Sequence, residues 1–485
     1  MSVRVRYAPS PTGYQHIGGV RTALFSYLFA KRHAGTFVLR IEDTDRSRYV
    51  PEAVDDLYAT LDWLGIAADE GPRDGGDFGP YVQSERIELY RQHAQQLADS
   101  GAAYWDYSDP AARGDAPYNY QGRAMTEQQM QAARETGRTP VLRLRVPDAG
   151  QTEFEDAVLG RVKRKHKDLP PDPVLLKSDG FPTYHLANVV DDHAMQITHV
   201  LRAQEWIPST PIHLLLYRAF DWEPPIFAHL SMVMGKDGSK LSKRHGATSA
   251  REFRTKGYLA AAVINYVSLL GWSLDGEREF FSLAELRQLF DLDGINKAPA
   301  VFDYKKLDWF NGQYIRRLAD PELSDLLLPH LAEAGWTQQP PTDDDRRRLT
   351  QLLPLVRERL KTTTDVVELL RFLYRDVTEW DTELLMPKGL DAAGAKRVLE
   401  LAREALLQHG VDDEERIDTA LRAVAQAEDY KLGAFMMPLR VAITGSKNSP
   451  PLIASIRALG LEVAQQRIDG ALTHLHQAIQ KGELS

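Results

Sequence analysis

The first forty-one residues constrain the fold more than any other stretch. Val3, Val5 and Tyr7 alternate with arginines as in a short strand, and Pro9, Pro11 and Gly13 then break the ladder and turn the chain. Val20, Ala23, Leu24, Tyr27 and Leu28 recur at helical spacing and occupy one face of a helix. Gly35 reads as its C-cap, and Thr36 to Ile41 as a buried strand. Strand, helix and strand in so short a span make a βαβ unit, which predicts a parallel, doubly wound sheet. His16, Gly18 and Gly19 then fall where a strand's carboxyl end meets a helix N-terminus. Free backbone N–H groups and the helix dipole both favour an anion there, so the stretch reads as a nucleotide site.

With 485 residues the chain exceeds what one core usually serves, and several domains are expected. The net charge of −9 argues against a generally cationic surface, although a local basic stripe is enough to bind phosphates. Cysteine is absent, which excludes disulfides, thiolate zinc sites and cysteine nucleophiles. The amino terminus has no apolar signal-like region. The longest mostly apolar stretch, 259–272, is too short to span about 30 Å of hydrocarbon, so a soluble, cytoplasmic protein without a membrane partner is expected.

The second strand delivers Glu42-Asp43-Thr44-Asp45-Arg46 to the end of the sheet where ligands gather. A carboxylate there either holds an ammonium group or caps a helix. Pro51 opens a helix that Gly65 ends, 71–80 reads as a loop, and a further helix runs from Ser84 to about Ser100. Between Tyr104 and about Pro182 short strands and polar loops prevail, and the segment reads as a domain inserted between two halves of the nucleotide fold. Its cationic run, Arg161 to Lys167, is either a solvated hairpin edge or an RNA-backbone contact. The sheet resumes at Ile197 to Arg202, and a helix follows from Pro211 to Ala219. A Gly/Lys loop then covers Val233 to Gly246, with Lys240, Lys243 and Arg244 carrying positive charge. Paired with the opening motif, it would grip phosphates from a second side. From about Asp320 the pattern is helical throughout, with local basic faces at 346–348 and 357–361.

His16-Ile17-Gly18-Gly19 and Lys240-Leu241-Ser242-Lys243-Arg244 resemble the paired signatures of class I aminoacyl-tRNA synthetases, with Gly19 where most of the class has a second histidine. Arg6 to Gly13, Arg40 to Asp45 and Phe181 to His193 look like the bacterial glutamyl-tRNA synthetases, and the resemblance runs essentially the whole length. Glutamine-specific relatives end in β-barrels, whereas this C-terminal half reads as helical. A truncated paralogue that modifies a tRNA base lacks the anticodon domains. A non-catalytic tRNA-binding protein on a degenerate synthetase fold would not need His16, Lys240 and Lys243 together.

The resemblance implies a Rossmann-type doubly wound parallel sheet in two halves, 1–80 and 186–237, around an inserted α/β acceptor-binding domain at 81–185. A stem-contact domain at 238–320 and all-α anticodon-binding domains at 321–385 and 386–485 would follow. It implies ATP-dependent activation of L-glutamate to glutamyl-adenylate and transfer to the 2′-hydroxyl of the terminal adenosine of tRNA(Glu). By the same resemblance, His16, Gly18, Glu205, Val233, Lys240 and Lys243 bind ATP, with His16, Lys240 and Lys243 catalytic and Mg²⁺ sharing the phosphate charge. Arg6, Ala8, Ser10, Glu42, Tyr184, Asn188 and Arg202 would hold glutamate. Arg359, Arg440, Pro450 and Leu452 would meet the anticodon, with Arg359 reading its last base. Some relatives bind zinc through cysteines near Tyr104 to Tyr107; no zinc is expected here, and a monomer is.

Overall fold

Arg4–Tyr7 (β1) and Thr36–Leu39 (β2) pair in parallel, Arg4 opposite Thr36, with Ile17–Arg32 (α1) as the crossover between them. Val5, Leu24, Phe25, Leu28, Phe37 and Val38 are buried, which is why the alternating and helical patterns converge on one core. The computed structural model describes residues 2–108 and 121–480. Gly35 is not the cap of α1. The helix ends at His33, Ala34 takes the left-handed φ of 50°, and Gly35 lies where a Cβ would collide with the carbonyl oxygen of Val3. Glycine serves there to let the returning chain approach β1 closely.

The chain continues through Glu52–Leu64 (α2), closed by Gly65 at φ 65°, and Ile87–Asp99 (α3). Ala103–Asp106 (β3), Glu127–Glu135 (α4) and Val141–Leu144 (β4) follow, then the hairpin Gln151–Asp156 (β5) and Gly160–Lys165 (β6), and Val174–Leu176 (β7). Tyr184–Ala194 (α5), His199–Ala203 (β8), Thr210–Ala219 (α6) and Ile226–Leu230 (β9) rebuild the nucleotide fold. Among the described residues the main sheet has the order β2-β1-β8-β9-β5-β6 and is parallel up to β5, with β6 antiparallel at the edge.

The hairpin expected inside the insert therefore belongs to the main sheet. Asp156 pairs with Phe227 across 71 residues of sequence, a join that no local pattern encodes. The separate three-stranded sheet β3-β4-β7 is the insert's own. Arg161, Lys163, Arg164 and Lys165 are exposed on the edge strand, whereas His166 is buried and bonded to Thr152 and the carbonyl of Ala149.

Val233–Met234 (β10), Ala250–Thr255 (α7), Ala260–Ser268 (α8), Leu283–Leu289 (α9), Ala300–Val301 (β11) and Tyr304–Arg317 (α10) come next, with β10 and β11 in a short parallel ladder. By contacts the chain forms two units, Met1–Thr255 with Ala260–Leu307, and Lys256–Leu259 with Asp308–Ser485.

Beyond α10 the second unit holds Asp320–Glu333 (α11), Asp343–Val356 (α12), Asp365–Tyr374 (α13), Thr382–Leu385 (α14), Ala392–His409 (α15), Glu414–Ala427 (α16), Leu432–Thr444 (α17), Leu452–Leu459 (α18) and Leu461–Gln480 (α19). One apolar cluster gathers α11 to α13 and another α14 to α19. Arg467 of α19 clasps the two, donating to the carbonyls of Ile443 and Phe372 at 2.6 Å each.

Gly35→Ala should destabilise the first unit by about 1–3 kcal/mol, because the methyl group meets backbone that cannot retreat. A lower urea midpoint for that unit's transition is the expected reading, and an unchanged midpoint would mean that β1 gives way freely.

Candidate active site

The carboxyl ends of β1, β2, β8 and β9 open onto a cleft of about 1270 Å³. Arg6, Ala8, Ser10, His16, Gly18, Glu42, Tyr184, Asn188, Arg202, Glu205, Val233 and Lys240 all line it. They come from five distant stretches of sequence. Tyr184, Asn188, Asp191 and Asp192 recur at i, i+4, i+7 and i+8 of α5, which turns one helical face toward this end of the sheet.

A buried charge network underlies the cleft. Arg40 is wholly buried; it donates to Asp192 at 2.7 Å and to Glu42 at 2.9 Å, and lies 3.6 Å from Asp191. Asp191 also accepts from Arg86 at 2.7 Å, Gln83 at 2.8 Å and Tyr90 at 2.8 Å. Arg6 donates through Nε to Asp192 at 3.0 Å, its one side-chain hydrogen bond among the described residues, so its terminal N–H groups remain for a ligand. Burial works to raise the Asp192 carboxyl, but Arg6 and Arg40 outweigh it and hold it below the ordinary range. At Glu42 burial prevails over Arg40 and Arg6, and the carboxyl is raised. Arg40 and Asn188 both reach Glu42 Oε1, at 2.9 and 3.3 Å, which leaves Oε2 for another donor.

Arg202 differs from Arg6. It donates to His229 Nε2 at 3.1 Å, Tyr184 at 2.9 Å and Thr210 at 2.7 Å, with His213 Nδ1 at 3.4 Å. Among the described residues none of its partners is a carboxylate. Burial, followed by the charge of Arg202, lowers His185 to about 4 and His213 well below the usual imidazole value, so both rings are neutral beside it.

At the other end of the cleft His16 caps α1, its Nδ1 accepting from the Gly18 amide at 3.1 Å. Burial, then Lys240, lowers its pKa, so the ring is neutral and Nε2 carries the proton. Gly19 allows tight packing, since a Cβ would lie 2.7 Å from the Tyr7 hydroxyl. Just after the Gly/Lys loop the chain is sewn to this motif by backbone bonds, Ile17 to Thr248 at 2.8 Å and Ala250 to Gln15 at 2.9 Å. Lys240 pairs with Glu205 at 2.5 Å on the exposed rim. Lys243 opens a short 3₁₀ turn, and its side chain lies outside the described residues. Arg21 of α1, unforeseen in the sequence, reaches the carbonyls of Leu270, at 3.0 Å, and of Ser231. Burial lowers its guanidinium to about 10.

Comparison with known proteins decides the family. Residues 2–309 match the family described as tRNA synthetases class I (E and Q), catalytic domain, and residues 322–472 match an anticodon binding domain. The chain belongs to the class I tRNA synthetases of the glutamate and glutamine group. A glutamate–tRNA ligase of Treponema denticola is 50% identical, covering 97% of this chain and 99% of that protein, and one of Roseiflexus castenholzii is 46% identical over 98% and 97%. The crystal structure of a glutamate tRNA ligase from Elizabethkingia meningosepticum in complex with its amino acid superposes with a TM-score of 0.80 at 34% identity, covering 98% of this chain and all of that one.

Class I synthetases use ATP. In the helical unit of this family member Arg359 is exposed between α12 and α13. The charge of Arg359, after burial, helps to lower Arg440, so the two arginines lie near each other. Arg440 donates to Ser449 Oγ at 2.6 Å and to the Pro450 carbonyl at 2.8 Å. Pro450 and Leu452 are buried, Leu452 within the apolar core, so their side chains shape the start of α18 from beneath. Arg40, Asp156, Asp192, His213 and His229 were given no role from the sequence. Arg40 and Asp192 stood inside quoted motifs but only geometry gives them partners; Asp156 and His229 carried no local signal.

The neutral histidines fix a pH dependence. Between the ordinary value near 6.5 and about 4 for His185, the unfolded chain binds protons that the folded chain refuses. Stability of the first unit should therefore fall by about 1–3 kcal/mol as pH drops from 7 to 4, beyond the loss from carboxylates. Urea titrations compared with a His185→Gln variant measure the histidine share; identical pH slopes would contradict it.

Proposed function

We propose that this chain is a glutamate–tRNA ligase in which Arg6 and Arg202 receive the two carboxylates of L-glutamate and Glu42 receives its ammonium group. One observation carries the reading: Arg202 stands buried in the cleft with neutral partners, while Arg6 keeps its terminal N–H groups unspent beside Glu42 Oε2. Arg6 thus offers two parallel terminal N–H donors to a planar carboxylate, and Arg202 brings a cationic charge that no carboxylate among the described residues neutralises. Glutamine would turn its amide N–H₂ toward the same donors and leave buried groups unpaired, which is why the site prefers the acid. Tyr184, Asn188, Ser10 and the backbone at Ala8 complete the amino-acid pocket.

In the first step the α-carboxylate oxygen attacks the α-phosphorus of ATP, and the bond to pyrophosphate breaks. Both reactants are anionic, so holding them together and neutralising charge is most of the catalysis. His16 supplies a neutral Nε2–H donor to phosphate, and Gly18 lets the nucleotide reach the helix N-terminus. Val233 lies beside the nucleotide through its backbone. Lys240 is held at the rim by Glu205 until phosphate competes for it, and Lys243 joins it on the side of the departing pyrophosphate. Mg²⁺ would arrive on the phosphates. Among the described residues no cluster of three His, Asp or Glu side chains is suited to hold a metal. In the second step the 2′-hydroxyl of the terminal tRNA adenosine attacks the glutamyl carbonyl and AMP leaves. Arg359 reads the last anticodon base, with Arg440 beside it and Pro450 and Leu452 shaping the α18 face.

Charging of purified tRNA(Glu) with radiolabelled glutamate, ATP and Mg²⁺ is the direct test. Glutamyl-tRNA is expected, and charging with glutamine instead would overturn the reading. Lys243→Ala should lower the activation rate by about a hundredfold or more while tRNA affinity changes little. Equal losses in both would make the loop an RNA-binding element. Arg359→Gln should relax discrimination between tRNAs whose anticodons end in C and in G, by about tenfold in kcat/KM ratio; an unchanged ratio removes Arg359 from recognition.

A further inference from the structure

Asp156 ends β5, the strand that joins the main sheet from the hairpin, and its carboxylate is buried beneath the cleft. Oδ1 accepts from the backbone amides of Val158 at 3.0 Å and Leu159 at 2.9 Å, with His229 N at 3.3 Å. Oδ2 lies 2.5 Å from His229 Nδ1. On the far side of the ring, His229 Nε2 lies 3.1 Å from Arg202 Nε. Arg202 Nε–H is a donor at every accessible pH, so His229 Nε2 must be bare and the ring proton must sit on Nδ1, facing Asp156. His229 is fully buried, and burial, the largest influence on it, keeps it neutral.

We propose that Asp156 and His229 form a positioning relay that sets the tautomer of His229 and thereby fixes the guanidinium of Arg202 for the substrate carboxylate. The proposal rests on the glutamate reading of Arg202. It goes beyond that reading by assigning function to two residues that meet no substrate. The relay solves a specific problem. A carboxylate bonded directly to Arg202 would neutralise the charge that a substrate carboxylate needs, whereas an imidazole between them passes the orientation and keeps the acidic group out of reach. Thr210 takes the neighbouring Nη2 of the same edge at 2.7 Å, its Oγ1 3.2 Å from His229 Nε2, and Tyr184 meets Nη1 from the cleft side at 2.9 Å, so the plane of the guanidinium is fixed.

Asp156→Asn tests this almost isosterically. The three amides at Oδ1 demand the Asn carbonyl oxygen there, so its N–H₂ takes the place of Oδ2 and donates to His229 Nδ1. The ring proton then moves to Nε2 and opposes Arg202 Nε–H donor to donor. With tRNA present, KM for glutamate should rise about tenfold to a hundredfold. KM for ATP should stay within about twofold, and the glutamate-over-glutamine ratio should fall. Nitrogen-15 spectra of histidine-labelled protein should place the His229 proton on Nδ1 in the unaltered chain and on Nε2 in the variant. A merely structural role would lower stability without moving that proton or splitting the two KM values. Unchanged KM for glutamate in a protein that charges glutamate overturns the relay alone; an unaltered protein that charges no glutamate overturns the parent reading and the relay with it. Should Asp156→Asn fail to fold, the tautomer in the unaltered protein decides, and a proton on Nε2 refutes the proposal.

Discussion

The guanidinium of Arg40 has no exposure to solvent, and the arrangement of the proposed amino-acid pocket follows from how its charge is met. A buried cation is tolerated only when paired and hydrogen-bonded, and Arg40 meets this demand with Asp192 and Glu42 directly and Asp191 nearby. Those acids exceed its single charge, so Arg86 is drawn to Asp191 and Arg6 to Asp192. The result is three carboxylates against three guanidinium groups, fixed in place before any substrate arrives. Replacing such a cluster with apolar residues is often neutral for stability, whereas removing one member costs about 3–5 kcal/mol. Its worth therefore lies in the geometry it imposes on Arg6 and Glu42.

The sheet supplies the rest of that geometry. β1 ends just before Ala8 and Ser10, β2 just before Arg40 and Glu42, β8 contains Arg202, and β9 contains His229. Parallel pairing forces all four carboxyl ends to the same side, so residues far apart in sequence meet without any of them being on a long loop. The helix N-terminus at His16 then adds free N–H groups suited to phosphate beside the proposed amino-acid pocket built by side chains. One half of the cleft is made from backbone and dipole, the other from buried charge.

Much of this was legible in the sequence because it is local. The alternation of Val3, Val5 and Tyr7, the helical face of α1, and the two motifs around His16 and Lys240 each lie within a few residues. Of the residues expected in the cleft, those from these and the other quoted motifs line it, while the Lys243 side chain lies outside the described residues; Arg21 and Lys177 line it without having been singled out. What escaped is contact across sequence. Gly35 reads as a helix cap until Val3 is seen against it, and β5 reads as part of the insert until Asp156 is seen beside Phe227. Asp156 and His229 are 73 residues apart, and nothing in either neighbourhood points to the other. Likewise, Leu452, expected to meet the anticodon, carries no sign in the sequence that its side chain would be spent on the core.

The central claim is that the buried acids hold arginine donors in position for a substrate carboxylate, so that selectivity and not stability is what they chiefly confer. Asp192→Asn addresses it most directly, since the change keeps the shape and removes the charge that orients both Arg6 and Arg40. The measurement is the ratio of kcat/KM for glutamate to that for glutamine, taken with a urea unfolding curve on the same protein. The account predicts that the ratio drops by about tenfold or more in protein that remains folded. A variant that loses stability but keeps the full ratio would contradict it, because the network would then be a structural cluster that the pocket does not use.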